Sequence, residues 1–474
     1  MNARLWLGAL AALTLFRLIA AALVPLAPDE AYYWLWSQHL QAGYYDDAPM
    51  VAFWIRGGTA LAGPSPFGIR LLSPLAAALG SVLIWRAGED LFPRRDAGIL
   101  AAILLNATLV LGAGAVITTP DTPLILFWTA GIAALARWIR SGDDRWWLAA
   151  GAAAGLALDS KYTGLLLIAA AGLWLLSFPA GRKALARPLP WAGMILGFLL
   201  FLPVILWNAR HGWASFLKQG GRVTHFNAVH SLSFLGSFIG GQIGLATPII
   251  ALLMALGTWR AARASTPEAR LLAFMVLLPG AVFLEHTLSG SVQPNWPAIL
   301  YPGAALAAAG MAGRTMRRWM IPAACLGFII TLLVYAQAIA APLPLPARRD
   351  PTALQLAGWH GLARAVAREA ERRHARFVTA PDYATIAELS HDLPQDITVI
   401  GYSGRWHYLS LASSSSLAGA TGLLIQPDRR GPPILKGARL VGAAARRRGG
   451  QTISGYRIYE IPAPPYRGIV RAGR

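Results

Sequence analysis

The chain has 474 residues, of which 55% are hydrophobic and 14% are charged, and its formal net charge is +20. This composition is typical of a polytopic membrane protein and argues against an ordinary soluble globule. Most basic residues before position 340 lie in short clusters between apolar runs, a pattern that orients membrane helices. No nucleic-acid motif appears, so we expect no nucleic acid partner. The single cysteine, Cys325, excludes a disulfide within the chain.

The apolar runs predict about eleven membrane helices, the first retained rather than cleaved as a signal peptide. The expected spans are 5–26, 67–90, 98–117, 122–140, 146–159, 162–179, 190–207, 235–257, 270–288, 296–312 and 319–340. With eleven crossings the basic clusters fall on one side, which the positive-inside rule makes cytoplasmic. The sequence therefore predicts a cytoplasmic N-terminus and a C-terminus on the outside of a bacterial inner membrane.

Two long loops, 27–66 and 208–234, lie on the predicted outside face. Parts of the first, 30–41 and 49–62, have the character of interfacial amphipathic helices.

The composition changes after Ala341, where prolines mark a linker. A helical period over 352–374 is followed by short β-like runs, which together predict a small α/β domain. The β-like runs are 377–379, 397–400, 422–425 and 456–461. We therefore expect a transmembrane domain over 1–341 and an extra-membrane, periplasmic α/β domain over 342–474.

Two adjacent acids, Asp29 and Glu30, directly follow the first apolar run and precede a group of aromatic residues. Ionisable groups beside hydrocarbon are costly and are commonly functional. A carboxylate in this place could act as a general base toward a hydroxyl or orient a sugar. The structural alternative is that Asp29 caps a helix that begins at Glu30.

Three further acids lie in predicted outside segments. Asp46 and Asp47 follow Tyr45 and could bind a divalent cation or the hydroxyls of a sugar. The alternative for this pair is a solvated turn before Pro49. Asp121 lies at the outer end of the third predicted helix, where it could join the first loop or cap the next helix.

Lys161 interrupts apolar sequence on the predicted outside face and is followed by Tyr162. A cation there departs from the positive-inside trend, so we expect it to have an anionic partner. A lipid phosphate is one candidate partner. Asp159 or another loop acid is the structural alternative.

Weaker candidates lie further along the chain. Asn295 and Trp296 could contact a substrate, or could form a helix start with an interfacial tryptophan. Arg222 and His225, in the second outside loop, are weaker still. All these candidates fall on one predicted face although they span nearly 300 residues, and this convergence indicates a site more strongly than any one motif does.

Asp29-Glu30, Tyr45 to Pro49, Thr119 to Pro123, Ser160 to Tyr162 and Asn295-Trp296 together resemble the bacterial branch of the GT-C glycosyltransferases. This group includes the dolichyl-phosphate-mannose protein mannosyltransferases and the lipid A aminoarabinose transferases. The resemblance covers about residues 1–310. It implies a membrane enzyme that transfers one sugar from a polyprenyl-phosphate donor to an acceptor at the periplasmic face, with inversion at the sugar carbon.

The resemblance also implies roles for single residues. Asp29 corresponds to the catalytic base or acceptor-orienting acid of the family, with Glu30 beside it, and Asp46 corresponds to its second acid. Asp47 stands where the aminoarabinose branch has a lysine, which leaves Lys161 as the better candidate for donor phosphate.

The expected partners are a polyprenyl-phosphate-linked sugar, membrane lipid, and a glycolipid, glycan or protein acceptor. A divalent metal is the only cofactor considered, with Asp46, Asp47 and His225 as candidate ligands.

The main alternative function is a transporter or lipid flippase. Transporters commonly place polar groups on broken helices at the bilayer midplane and carry internal repeats. In this sequence the acids lie at helix ends and no repeat is evident. A non-catalytic membrane scaffold is a second alternative, which the clustered acids oppose.

Overall fold

The computed structural model describes residues 3–93, 96–220, 228–431, 433, 435, 437–462 and 468–473. The chain forms two compact units. The first comprises Met1–Ala21, Ala42–Ala62 and Arg70–Leu333. The second comprises Ala22–Gln41, Gly63–Ile69 and Val334–Arg474. Part of the first long loop therefore folds with the C-terminal residues, and the division that we predict between residues 341 and 342 stays a prediction.

Helices dominate the first 340 residues. In chain order they are α1 (Ala3–Leu23), α2 (Pro28–Gln38), α3 (Met50–Ala62), α4 (Pro66–Arg70), α5 (Leu72–Leu91), α6 (Ala97–Ala107), α7 (Leu109–Gly112), α8 (Asp121–Ser141), α9 (Trp146–Ser160), α10 (Leu165–Leu176), α11 (Pro179–Ala184), α12 (Pro188–Arg210), α13 (Ala214–Gly220), α14 (Ala228–Ala246), α15 (Pro248–Arg263), α16 (Pro267–His286), α17 (Leu300–Gly310) and α18 (Arg314–Ile339). Short 3₁₀ turns precede α10 and α17, at Tyr162–Gly164 and Trp296–Ile299. Most bounds fall within a few residues of the predicted spans.

Among the described residues, six helices are long and apolar enough to cross a membrane, or seven if one bent pair counts as a single span. The predicted architecture of a polytopic helical membrane protein is confirmed, but the count of eleven spans is not. Several predicted spans are shorter helices, such as α6 with 11 residues and α9 with 15. A helix rises 1.5 Å per residue, so these are shorter than the hydrocarbon layer of about 30 Å.

The predicted single helix over 235–257 is wrong. Two helical segments, His230–Ala246 and Pro248–Arg263, meet there at 104°. Pro248 has no backbone N–H and restricts the residue before it. Thr247 has a φ of 69°, which ends α14 and starts α15 in a new direction.

The core of the first unit depends on close helix packing. A Cβ added to Gly151 of α9 would lie 1.9 Å from the carbonyl oxygen of Gly193 in α12. Small residues at such contacts let membrane helices approach until their backbones touch. The packing of α9 against α8 and α12 fixes the end of α9, where Lys161 follows.

The C-terminal part of the second unit combines helices with a sheet. The helices are α19 (Pro351–Leu356), α20 (Trp359–Arg372) and α21 (Tyr383–Asp392). The strands are β1 (Phe377–Thr379), β2 (Thr398–Gly401), β3 (Ala412–Ser413), β4 (Gly422–Pro427), β5 (Arg439–Arg448), β6 (Gln451–Ile461) and β7 (Gly468–Arg471). Their order in the sheet is β3-β7-β2-β1-β4-β6-β5.

This sheet confirms the predicted α/β character of the C-terminal residues. The central strand β1 is parallel to both neighbours, with Val378 opposite Val399 of β2 and Leu423 of β4. The other pairings are antiparallel. The four predicted β-like runs correspond to β1, β2, β4 and β6. The predicted helix over 352–374 is divided into α19 and α20 by Gly358, whose φ of 83° ends a helix.

Candidate active site

Asp29 and Glu30 lie in the first turn of α2 in the second unit, but they face different surroundings. The Glu30 side chain is fully buried, and its Oε2 accepts a hydrogen bond of 3.0 Å from the Ala27 amide at the helix start. Asp29 is exposed, and its side chain does not cap the helix. The capping contact considered for Asp29 is therefore made by Glu30, while the catalytic role of Glu30 stays a prediction.

Among the described residues, the Asp29 carboxylate has one hydrogen-bond donor. The Tyr383 hydroxyl, at the start of α21, donates a 2.7 Å hydrogen bond to Asp29 Oδ1. Asp29 Oδ2 accepts no hydrogen bond from the described residues. A carboxylate with one oxygen fixed and the other open can accept a proton from a bound hydroxyl.

Aromatic rings and a cation surround the Tyr383 ring within the second unit. Its centroid lies 4.9 Å from that of Tyr32, and the Arg405 guanidinium lies 4.2 Å above it. Burial raises the pKa of Tyr383 far above the ordinary tyrosine value, and the Asp29 carboxylate raises it further. The phenol therefore stays protonated and serves as a hydrogen-bond donor at neutral pH.

A second group of predicted residues meets in the first unit. Lys161 Nζ lies 2.7 Å from Asp121 Oδ1, and Asn295 Nδ2 donates to Asp121 Oδ2 at 2.6 Å. The Trp296 ring centroid is 6.0 Å from Lys161 Nζ. The Lys161 and Asp121 side chains are only 15% and 9% exposed, so this ion pair is largely removed from water. The structure thus brings together Asp121, Lys161, Asn295 and Trp296, while their role in substrate binding stays a prediction.

The local backbone explains why Lys161 meets Asp121 rather than Asp159. Helices α8 and α9 are connected by the short segment 142–145, so the start of α8 and the end of α9 lie at the same end of the pair. Lys161 is extended, with φ −164° and ψ 143°, which takes it out of α9. Gly164 then packs on the backbone of Ala157 at a distance where a Cβ would clash.

Asp46 pairs with a residue that sequence reasoning missed. Lys218, on α13, forms an ion pair with Asp46 Oδ1, and Gln219 donates to the Asp46 backbone carbonyl. Lys218 Nζ also lies 4.2 Å from the Tyr45 ring centroid. The two long predicted loops therefore contact each other through Asp46 and Lys218.

Tyr162 contacts the same second loop. Its hydroxyl lies 2.8 Å from Ser215 Oγ, and its ring meets that of Phe216 at 4.9 Å. Asp47 is buried, which rules out the solvated turn considered for it.

The described residues do not form a metal site. They contain no group of three or more histidine, cysteine, aspartate or glutamate side chains that could hold an ion. Asp46, one of the predicted ligands, is engaged by Lys218. His225 and Arg222 lie outside the described residues. The two described members of the predicted set, Asp46 and Asp47, do not by themselves make a metal site, and no step of the proposed reaction uses a metal.

Four residues of the candidate site were not apparent from the sequence: Tyr383, Arg405, Lys218 and Ser215. The one available signal was for Lys218, an isolated lysine in a long loop of predicted outside location. In the sequence, Tyr383 looks like the first residue of an ordinary helix that Asp382 caps. It lies 354 residues from Asp29.

Comparison with solved structures identifies the architecture. ArnT from Cupriavidus metallidurans, in a crystal structure bound to undecaprenyl phosphate, is similar over 97% of this chain and 98% of that one, with a TM-score of 0.65 and 16% identity. Its apo structure gives a TM-score of 0.64 with 17% identity. The chain has a GT-C fold. The fold class and the resemblance predicted from the motifs are thereby confirmed.

Sequence comparisons agree with this fold. The family model for dolichyl-phosphate-mannose-protein mannosyltransferase matches residues 46–207. A lipid A galacturonosyltransferase, RgtD of Rhizobium johnstonii, is 26% identical over 304 residues, which is 62% of this chain. The match spans 60% of that relative's length. These relatives are glycosyltransferases, as predicted for this chain, and none of them supports the transporter alternative.

Proposed function

We propose that this protein is a membrane glycosyltransferase that moves one sugar from a polyprenyl-phosphate donor to a lipid acceptor, with lipid A as the acceptor class. The observation that carries the proposal is the exposed Asp29 carboxylate, held at one oxygen by Tyr383, in a chain with a GT-C fold. The names of the relatives support both substrate classes, since one is a lipid A transferase and another binds undecaprenyl phosphate.

Asp29 is the proposed general base. The acceptor hydroxyl gives its proton to Asp29 Oδ2 as its oxygen forms a bond to the anomeric carbon of the sugar. The bond from that carbon to the phosphate oxygen breaks, and its electron pair leaves with the polyprenyl phosphate. A single displacement of this kind inverts the configuration at the sugar carbon. A positioned base contributes about 10²–10⁴-fold to such a step.

Lys161 is the proposed ligand of the donor phosphate. An ammonium group has three N–H donors, and among the described residues only Asp121 accepts from Lys161 Nζ. Asp121 and Asn295 fix the position of the ammonium, and the remaining donors can meet a phosphate oxygen. A fixed cation stabilises the negative charge that develops on the leaving phosphate. Lys218, paired with Asp46, offers a second cation in the same unit.

The proposed location is the inner membrane of a bacterium, with the reaction at the periplasmic face. The alternation of basic clusters along the sequence supports a cytoplasmic N-terminus and a periplasmic C-terminal part. A reporter that is active only in the cytoplasm, fused after Arg474, tests this orientation: we expect no signal, and a signal would contradict it.

The test of function uses the purified full chain in detergent or lipid. Polyprenyl-phosphate sugars of several kinds are offered with lipid A as acceptor, and released polyprenyl phosphate and glycosylated lipid are measured together. We expect acceptor-dependent release of polyprenyl phosphate. Movement of intact donor across vesicles without its cleavage would favour a flippase instead.

The acceptor is tested in the same assay. Replacing lipid A by another glycolipid, a glycan or a protein with exposed hydroxyls asks whether transfer depends on lipid A. Equal transfer to a protein or glycan acceptor would contradict the lipid assignment while leaving the transferase activity in place.

A further inference from the structure

Asp29 is held by a residue that comes from a distant part of the chain. The Tyr383 hydroxyl contacts Asp29 Oδ1 at 2.7 Å, and the two residues are separated by 354 positions in the sequence. Asp29 is exposed and sits in the first turn of α2. An exposed carboxylate without such a contact would sample several rotamers. The hydrogen bond therefore selects one orientation of the acid.

The Tyr383 side chain is itself held firmly. Its ring packs on Tyr32, a buried residue one turn after Asp29 in α2. The Arg405 guanidinium lies over both rings, at 4.2 Å from the Tyr383 centroid and 5.2 Å from that of Tyr32. The Tyr32 ring in turn meets Trp406 at 5.6 Å. A donor supported on several sides has little freedom to leave its acceptor.

We infer that Tyr383 is a positioning residue for the sugar-transfer reaction, fixing Asp29 Oδ1 so that Oδ2 faces the acceptor hydroxyl. This inference rests on the proposed function of Asp29. A base acts only when it is within hydrogen-bond reach of the proton that it removes, and a displacement of about 1 Å can cost about 100-fold in rate. The C-terminal residues thereby contribute to the chemical step through Asp29.

A double-mutant cycle tests this role. The full-length wild type, Tyr383→Phe, Asp29→Asn and the double variant are compared by kcat, by KM for donor and by melting temperature. Phe keeps the ring that packs on Tyr32 and Arg405 and removes only the donor. We expect Tyr383→Phe to lower kcat by about 10- to 100-fold with little change in KM for the donor. In the Asp29→Asn background the same change should have no further effect, because residues that act as one unit are not additive.

Two controls accompany the cycle. Tyr402→Phe removes another partly buried hydroxyl of the same unit and should leave kcat unchanged. Asp29→Glu keeps both an acid and Tyr383 but moves the carboxylate by one methylene group, so we expect a loss of kcat comparable to that of Tyr383→Phe. This variant provides a second test that does not depend on the folding of the Tyr383 variant.

The outcomes separate the two proposals. If the wild type releases no polyprenyl phosphate, the proposed function fails. If the wild type is active and Asp29→Asn is not, while Tyr383→Phe turns over at the wild-type rate, only the positioning role is overturned. An equal fold-loss from Tyr383→Phe in both backgrounds would also overturn it, because that result indicates a purely structural contribution. A wild-type kcat in the Asp29→Glu variant would likewise overturn the positioning role.

Discussion

Asp29 and Asp121 both lie in the first turn of a helix, yet their surroundings differ. Asp29 is exposed, and its hydrogen bond comes from a neutral phenol, Tyr383. Asp121 is buried, and its two oxygens receive hydrogen bonds from the Lys161 ammonium and the Asn295 amide. Acids are favoured in the first turn of any helix by the helix dipole, so position alone does not distinguish the two.

The difference lies in whether each carboxylate still has an oxygen that can accept a proton or a hydrogen bond from a substrate. Asp121 has a cation on one oxygen and an amide on the other, so its charge is balanced and its position is fixed. Asp29 is an exposed residue, and its Oδ2 accepts no hydrogen bond from the described part of the chain. An acid that is to remove a proton needs such an open oxygen, whereas an acid that is to hold a lysine does not. The comparison therefore supports the proposal that Asp29 takes the proton and that Asp121 holds Lys161 in place.

The largest expected effect is at Asp29. We expect Asp29→Asn to lower kcat by about 10²–10⁴-fold with little change in melting temperature, because an exposed amide still fits the site but cannot take a proton. Glu30→Gln is the matched control, since it keeps an oxygen for the Ala27 amide and should lose much less activity. Equal losses in the two variants would contradict the assignment of the base to Asp29 alone.

At Asp121 we expect a loss of stability. Asp121→Asn leaves a largely buried Lys161 charge without its partner, a change that costs up to about 3–5 kcal/mol of unfolding free energy. The melting temperature of the purified full chain measures this. Replacing both partners, in Asp121→Asn/Lys161→Met, should recover part of the stability because no buried charge remains. A double variant as unstable as Asp121→Asn would show that the ion pair is not the cause.

Lys161 should affect donor binding. If Lys161 binds the donor phosphate, Lys161→Ala loses a charge-assisted hydrogen bond, worth roughly 1.5–3 kcal/mol or about 10- to 150-fold in donor affinity. Lys161→Arg should restore only part of this, because a planar guanidinium does not reproduce a compact ammonium. Lys183→Ala, an exposed lysine on α11, is the control. Unchanged donor affinity in a folded Lys161→Ala variant would leave Lys161 with a structural role alone.

The smallest expected effect is a sensitivity to alkali in the Asp29 region, where neutral phenols pack together. Burial raises the pKa of Tyr32 well above the ordinary tyrosine value of about 10. The folded protein therefore holds this proton more tightly than the unfolded chain does. The resulting stability is fully present below pH 10 and is lost as the pH rises from there toward the folded-state pKa.

Melting temperatures between pH 9 and pH 11 measure this loss. Each such tyrosine changes the slope by at most about 1.4 kcal/mol per pH unit. Tyr32→Phe should make the decline shallower. The same slope in both proteins would mean that Tyr32 is not responsible.

Much of the site could be predicted because its residues interrupt or end apolar runs. Asp29, Asp121 and Lys161 are each visible as a charge beside a membrane helix, and helix lengths are set by the bilayer. The start of α8 and the end of α9 lie at the same end of this helix pair, which also places Asp121 and Lys161 on one face. These inferences need only the periodicity and the direction of each helix.

The partners of these residues could not be predicted, since they depend on tertiary structure. Asp159 is nearer to Lys161 in sequence, but residues two positions apart do not share a helix face, and Lys161 turns out of the helix. Its actual partner, Asp121, is 40 residues away on the neighbouring helix. The contacts of Asp29 with Tyr383 and of Asp46 with Lys218 join residues that are 354 and 172 positions apart, and local sequence carries no signal for such contacts.

The inclusion of residues 22–41 in the second compact unit has a consequence for biosynthesis. Helix α2 is synthesised well before the strands and helices that it folds with, since Tyr383 follows Asp29 by 354 residues. Contacts of such long sequence separation form slowly and leave apolar surface uncovered in the meantime. The Tyr32 ring, which packs on Tyr383 in the folded chain, can therefore make this contact only after synthesis has passed α21. A ribosome stalled before residue 383 would carry a chain whose membrane helices are inserted but whose Asp29 has no phenol to orient it.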